Sequence, residues 1–353
     1  MSAFEHVTLG QRVLFGSGKA AENLAAEVSR LGSRRVMVIA SEFEAQIAAE
    51  VAAGIDVLSF YDDVAPHVPL EKAEKARSAA QELGIDVLVC VGGGSTTGLA
   101  KAIAMTTALP IIAVPTTYAG SEATNVWGLT EASRKTTGVD DNVLPVTVIY
   151  DAALTLSLPV DLSVASGLNA LAHCVDSMWA PRADPINQAL AAEGIRALNQ
   201  GLPLIKDDPS SIPGREQALY GAYLSAVAFA SAGSGMHHKI CHVLGGAYNL
   251  PHAQTHATVL PYVLAFNAAH APDAEARIAA AFGTADALNG LNALRETLNA
   301  PKALKDHGMA EENIPEAVDL ILPVIPSSNP RPVTEENLGE LVRSAYSGTT
   351  PGL

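Results

Sequence analysis

The sequence predicts an α/β domain built on a parallel sheet, followed by an all-helical domain. Three observations carry this. Short apolar runs alternate with helical patterns through the first half. From Asp161 onward Ala, Leu, Gly and Glu dominate, with 3.6-residue periodicity and few β-branched runs. The chain has 353 residues, 48% hydrophobic and 17% charged, which is enough for two well-buried domains.

Taken in order, residues 12–15 read as a first strand-like run ending at Gly-Ser-Gly, and residues 19–31 as a helix. Residues 36–40 (VMVIA) are β-rich and apolar on both faces, as a central parallel strand is. Further strands are expected at 57–60, 87–91, 111–114 and 146–150, with an amphipathic helix over 70–83. Residues 154–159 read as the hinge, dividing the chain into domains 1–157 and 158–353. Helices are then expected at 161–180, 185–203, 214–232, 234–247, 252–269, 272–283, 286–299, 311–325 and 334–346, punctuated by prolines.

Composition excludes several classes of function. A net charge of −15 argues against nucleic acid and anionic membrane as partners, because phosphate binding needs a basic face. No apolar run reaches the ~18 residues of a membrane span, and the first ten residues lack a basic and apolar leader pattern. Cys90, Cys174 and Cys241 form no CxxC pair and read as buried thiols. A cytoplasmic protein is expected.

Two sets of residues carry chemistry. The first follows the strand at 87–91, where Gly92, Gly93 and Gly94 lead into a helix with Ser95 as its expected N-cap. Exposed N–H groups and a positive dipole end make such a turn a phosphate site, and glycine lets a pyrophosphate approach the backbone. After the next strand, Pro115 is expected to stop the strand. Thr116, Thr117, Ser121 and Thr124 then crowd hydroxyls at its carboxyl end, where open α/β sheets bind ligands. Ser41-Glu42 end the strand at 36–40. Ser41 carries no charge to repel a 2′-phosphate, so both NADH and NADPH are admitted, with Glu42 the acid available for ribose. An ordinary polar strand-to-helix turn is the alternative reading of each loop taken alone.

The second set is histidine. Five of the ten histidines fall within residues 234–258: His237, His238, His242, His252 and His256. His238 and His242 share a helix face, as do Asn169 and His173 upstream. Imidazole serves metal ligation and proton transfer near neutral pH. His237 and Lys239 read more readily as solvated or capping residues, and His256 as a packing residue. His6, His67, His270 and His307 read as surface or structural. Tyr118, Asn125 and Arg331 are further candidates for ligand contact. A βα half followed by a helical half also implies a cleft site between domains.

The segments GGGSTTGLAKAIA, AVPTTYAGSEAT, SGLNALAHCVDSMW, HHKICHVLGGAYNLPHAQTHATVLP and SSNPRPVTEENLGELVRSAY resemble the iron-containing alcohol dehydrogenase superfamily, in order and spacing over most of the chain. Within it they are most similar to the maleylacetate reductase branch. The resemblance implies a Rossmann-like NAD(P)-binding domain plus a helical catalytic domain, the dehydroquinate synthase-like architecture. It implies NADH or NADPH as cofactor, bound by Ser41, Gly92, Gly93, Gly94, Ser95, Thr116, Thr117 and Ser121. Metal-binding members carry an Asp and a His four apart, then two His fourteen apart. His173, His238 and His252 match the histidines, and His242 matches the intervening one. The aspartate position is Asn169, a neutral amide, which weakens a divalent metal there. The branch implies a dicarboxylate substrate, maleylacetate, reduced to 3-oxoadipate in aromatic-compound degradation, and a homodimer with an edge strand near 4–15. His242 is then the first candidate general acid, with Asn169, His173, His238, His252 and Tyr118 contacting substrate. Partly protonated imidazoles serve as the expected anion receptor. The competing readings are a metal-dependent alcohol or polyol dehydrogenase using His173, His238, His252 and Asn169, a dehydroquinate-synthase-like lyase, and a non-catalytic NAD sensor.

Overall fold

The computed structural model describes residues 3–131 and 134–349. The chain divides into two compact units, one of Leu9–Pro159 and one of Met1–Thr8 with Val160–Leu353. The unit boundary near 159 is joined by a second crossing at residue 8 that a contiguous partition does not contain. The reason is His6, whose Nδ1 meets Asp184 Oδ2 at 2.8 Å and Ser231 Oγ at 3.2 Å, tying the N-terminal residues to the helical unit.

The α/β unit runs β1 (Arg12–Phe15), α1 (Ala20–Leu31), β2 (Val36–Ile39), α2 (Ala45–Val51), β3 (Val57–Tyr61), α3 (Leu70–Glu82), β4 (Val87–Gly92), α4 (Gly94–Thr107), β5 (Ile111–Pro115), β6 (Val126–Glu131), β7 (Arg134–Val139) and β8 (Thr147–Tyr150). Six strands form one sheet in the order β1-β8-β5-β4-β2-β3, every pairing parallel. The inner strands β8, β5, β4 and β2 are buried at every residue, and the outer strands β1 and β3 are only partly covered. This is the all-apolar signature of strands covered on both faces. Two elements were not expected. One is α2, which continues a 3-10 turn at Glu42–Glu44. The other is the antiparallel ribbon β6–β7, whose first strand is only partly buried and so lacks a long apolar run. No strand covers residues 3–11; the edge strand is Arg12–Phe15 alone.

The helical unit comprises α5 (Val160–Ser177), α6 (Pro185–Asp207), α7 (Ile212–Ala232), α8 (Met236–Tyr248), α9 (His252–Ala268), α10 (Pro272–Phe282), α11 (Ala287–Leu298), α12 (Ile314–Ile321) and α13 (Glu335–Ser347). α6 passes through Pro203, where a stop was expected, because Leu202 and Ile205 on either side are fully buried and hold the extra turn. α6 and α7 pack backbone to backbone: a Cβ on Gly201 would lie 2.7 Å from the Gly214 carbonyl oxygen. α5 is buried along almost its whole length. Beneath α8 and α9, Ile240, Leu244, Val259 and Val263 join Ile314, Val318 and Leu338 in one core. That core fixes the two helices that carry the histidines. Among the described residues no helix is long and apolar enough to cross a membrane.

Candidate active site

In the α/β unit β4 runs into α4 with only Gly93 between them. Gly92 sits at φ +151, and a Cβ there would lie 2.5 Å from Thr96 Oγ1 and 3.0 Å from Glu44 Oε1. Glycine is required both for the dihedral and for the space. Gly93 is the N-cap and makes no side-chain cap bond; a Cβ on it would lie 3.1 Å from Thr117 Cγ2. Ser95 therefore does not cap the helix. It lies in the first turn, because the helix starts at Gly94. With no acidic residue in that turn and no capping side chain, the first N–H groups and the dipole end of a 14-residue helix are left for an anion.

The neighbouring loops close on this turn. The Thr116 N–H donates to the Gly92 carbonyl at 3.2 Å. Thr116 Oγ1 lies 3.4 Å from Glu44 Oε1, and Ser41 Oγ donates to the other oxygen of the same carboxylate. Glu44, not the exposed Glu42, is thus the acid at the carboxyl ends of β2, β4 and β5. Sequence reading stopped one turn short of it, since only the 3-10 turn after β2 brings Glu44 back over the sheet. Ser121 opens a 3-10 turn and offers its carbonyl to Lys101 Nζ at 2.6 Å. Lys101 also donates to the Thr124 carbonyl (2.8 Å), Thr124 Oγ1 (3.2 Å) and the Val126 carbonyl (2.7 Å), pinning the whole loop to α4. Burial pushes this amine down to about 7.

Two expected ligand contacts bond within the α/β unit. Tyr118 is fully buried, with its hydroxyl 3.5 Å from Thr155 Oγ1. Asn125 is buried and donates to Asp141 Oδ1 at 2.8 Å. In the helical unit, Arg331 lies over the Phe266 ring at 4.4 Å, a cation–π anchor for its loop.

The histidines come from three helices. α5 supplies Asn169, His173 and Asp176; α8 supplies His237, His238 and His242; α9 supplies His252 and His256. His173 stacks on His238 with centroids 4.7 Å apart, and Phe229 of α7 packs against both at 4.8 and 4.3 Å. His256 lies 4.9 Å from His238 and 4.4 Å from His252. His242 is 6.0 Å from His238 and 6.4 Å from His252. Asn169, His173, His237, His238 and His256 are buried, whereas His242 and His252 are exposed at the margin.

Three features escaped sequence reading. His237 is not solvated; it is fully buried, with Nε2 3.0 Å from His256 Nδ1 and 3.6 Å from Cys241 Sγ. His256 is likewise part of the cluster. Asp176 is fully buried and meets His238 Nδ1 at 2.8 Å. Its place three residues after His173, on the same helix face, is the signal that could have found it.

The cluster is short of hydrogen bonds. Asn169 Oδ1, His173 Nδ1, His237 Nδ1, His238 Nε2 and His256 Nε2 are buried and have no partner within the protein. Burial pushes His173 and His237 down to about 3, and it holds His238 and His256 well below the usual histidine range, with neighbouring rings adding to the effect. The expectation of partly protonated rings is thereby corrected for the protein alone: these four imidazoles are neutral at pH 7. Unpaired buried polar atoms are costly and mark a place where the protein expects company.

Known proteins match this arrangement along the whole chain. The profile of iron-containing alcohol dehydrogenase matches residues 10–152, and that of the C-terminal part of the Fe-containing alcohol dehydrogenase family matches residues 163–346. Maleylacetate reductase from Delftia acidovorans is 44% identical over 350 residues, covering 99% of each chain. The crystal structure of an iron-containing alcohol dehydrogenase from Corynebacterium glutamicum superposes with a TM-score of 0.98 at 67% identity, covering 99% of this chain and 98% of that one. Maleylacetate reductase from a Rhizobium strain gives 0.94 at 40% identity, covering 99% of this chain and all (100%) of its own. The chain belongs to the iron-containing alcohol dehydrogenase family and is an oxidoreductase.

Proposed function

We propose that this enzyme reduces maleylacetate to 3-oxoadipate with NADH or NADPH, a step in the degradation of aromatic compounds. The observation that carries the reading is the neutral amide of Asn169 on the helix face it shares with His173. An aspartate there suits a cation and repels a dianion. The full-length likeness to maleylacetate reductases supports the same reading.

The residues of the α/β unit fit a dinucleotide. The Gly92–Gly93 turn packs against Thr96, Glu44 and Thr117 too closely for any Cβ, and the first turn of α4 is open to a pyrophosphate. Glu44 stands ready for a ribose hydroxyl in place of Ser41 or Glu42. Gly92, Gly93, Gly94 and Ser95, with Thr116, Thr117 and Ser121 of the next loop, would hold it. Bound there, a reduced nicotinamide supplies the hydride.

The residues fit a resident divalent metal poorly at the family's positions. Asn169, His173, His238 and His252 include no anionic donor. Among the described residues, the set of three His, Cys, Asp or Glu donors gathered within 4.8 Å is a different one, His237, Cys241 and His256. Two of its ring nitrogens already bond each other, and the outer nitrogens, His237 Nδ1 and His256 Nε2, have no protein partner of the kind metal-bound histidines use.

Maleylacetate is a ketone conjugated to C=C. Hydride enters at the alkene carbon β to the carbonyl, the π electrons move to the ketone oxygen as an enolate, and the α-carbon takes a proton. A conjugated enolate is less basic than an alkoxide, so hydrogen-bond donors can replace a Lewis acid. The Asn169 amide and the rings of His173 and His256 turn N–H groups to the substrate's oxygens, with His238 packed beside them. His242, exposed at the margin with His252 beside it, exchanges a proton with solvent at a ring nitrogen and delivers it to the α-carbon. We read the enzyme as a cytoplasmic homodimer, supported by the family resemblance; sedimentation checks the dimer. The direct test is NADH oxidation at 340 nm with maleylacetate, with 3-oxoadipate identified as product. The absence of oxidation with either cofactor contradicts the proposal. Oxidation driven only by simple aldehydes favours an alcohol dehydrogenase.

A further inference from the structure

Asp176 does two things at once. From α5 its carboxylate reaches the first turn of α8 and accepts the N–H groups of Gly235 (2.9 Å), His237 (3.3 Å) and His238 (3.4 Å). These are orphan donors of a helix with no side-chain cap of its own. Gly235 is required for this approach, since a Cβ on it would lie 2.4 Å from Asp176 Oδ1. The same carboxylate meets His238 Nδ1 at 2.8 Å. A group taking three backbone N–H donors is an acceptor, so the remaining bond also runs toward it: His238 Nδ1 carries the proton. His238 Nε2 is then left with its lone pair, buried and without a protein partner, among the rings of His173, Phe229 and His256.

We propose that Asp176 is a positioning residue for the reduction: by capping α8 and fixing the Nδ1–H tautomer of His238, it leaves Nε2 of His238 as an acceptor in the pocket, for a water or neighbouring ring N–H that in turn donates to the substrate. The assignment rests on the reading of this pocket as the reduction site. A carboxylate that orients an imidazole through the nitrogen remote from the reaction is a recurrent arrangement, and its loss through an Asp→Asn change produces the wrong tautomer. In Asp176→Asn the new amide would keep one acceptor oxygen for the helix cap but would turn an N–H toward His238 Nδ1. The ring must then carry its proton on Nε2, and the acceptor that orients the pocket's donors is lost.

The test is the ring nitrogen spectrum of the full-length enzyme labelled with ¹⁵N-histidine, with the His238 signals assigned from a His238→Gln variant, alongside the kinetics of Asp176→Asn. In the wild type, His238 shows a protonated Nδ1 and an unprotonated Nε2. In Asp176→Asn the pattern reverses and kcat falls on the order of 100-fold, with KM for NADH unchanged. A wild-type ring protonated on Nε2 overturns the proposal, and so does a reversed tautomer with kcat within about threefold of wild type. A fall in kcat without reversal shows Asp176 acting as a helix cap alone and also overturns it. If Asp176→Asn does not fold, the wild-type spectrum still decides. An enzyme inactive on maleylacetate removes the proposed substrate, while the tautomer result stands or falls separately.

Discussion

Two buried polar clusters, one in each unit, obey opposite rules. In the α/β unit Lys101 is almost fully buried, and its amine finds three backbone carbonyls and a hydroxyl. Glu122 nearby accepts the Tyr150 hydroxyl at 2.8 Å. In the helical unit five polar atoms of Asn169 and four histidines find nothing in the protein. A satisfied buried network adds rigidity and definition. An unsatisfied one lowers stability and persists where a ligand completes it. Isolated unpaired atoms also occur elsewhere, as at Tyr61 and Arg77, but their concentration at the histidines marks the candidate site, and each cluster can be broken in its own way.

The largest effect is expected at the unsatisfied cluster. His238→Gln should lower kcat by about 10³-fold, since it removes the ring that Asp176 orients in the pocket, with a modest fall in thermal stability as the buried carboxylate loses that partner. Steady-state kinetics beside a melting curve reads both. A mutant that melts far lower yet turns over normally would make His238 architectural.

Lys101→Met should reverse the pattern. It leaves the carbonyls of Ser121, Thr124 and Val126 buried and unpaired, so stability falls by about 3 kcal/mol. Urea unfolding measures it, and an unchanged midpoint would mean the loop does not depend on this pin.

Asn169→Asp tests the charge of the pocket. Maleylacetate KM should rise roughly tenfold, and affinity for Zn²⁺ should rise as an anionic donor appears. If neither moves, the neutral amide is not what suits the pocket to a dianion.

The smallest effect is a pH dependence. His173 and His237 have folded values of about 3 against 6.5 unfolded, because burial disfavours their charge, and His238 and His256 shift the same way. As pH falls below 6.5 the unfolded chain binds protons that the folded chain refuses, so stability is lost from there toward pH 3. Asp176, raised to about 7 by burial, acts in the opposite sense between 3.8 and 7, one group against four. The helical unit should melt several degrees lower at pH 5 than at pH 7. A flat profile would show that the rings are not held neutral.

What the sequence disclosed divides along the same line. The apolar runs of β2, β4, β5 and β8 and the periodicity of α5 to α13 are local signals, and the structure holds elements at each of those places. The ribbon β6–β7 and the short α2 were invisible because neither has a continuous apolar face. The histidines were visible as a cluster by composition alone, but their roles were not. His237 was read as solvated because its partner His256 lies nineteen residues away on another helix. Asp176 was passed over because its work is tertiary, joining α5 to α8. Tyr118, read as a ligand contact, is fully buried with its hydroxyl near that of Thr155. Spacing tells which residues share a face; it does not tell which face is left unsatisfied.

The central claim is that neutral imidazoles and an amide, with no cation, complete the reduction of a conjugated keto diacid. The measurement that tests it most directly is maleylacetate-dependent NADH oxidation by enzyme dialysed against a strong chelator, with metal content determined on the same sample. The account predicts full turnover at negligible bound metal. Activity that disappears with the metal and returns with Fe²⁺ or Zn²⁺ would contradict it.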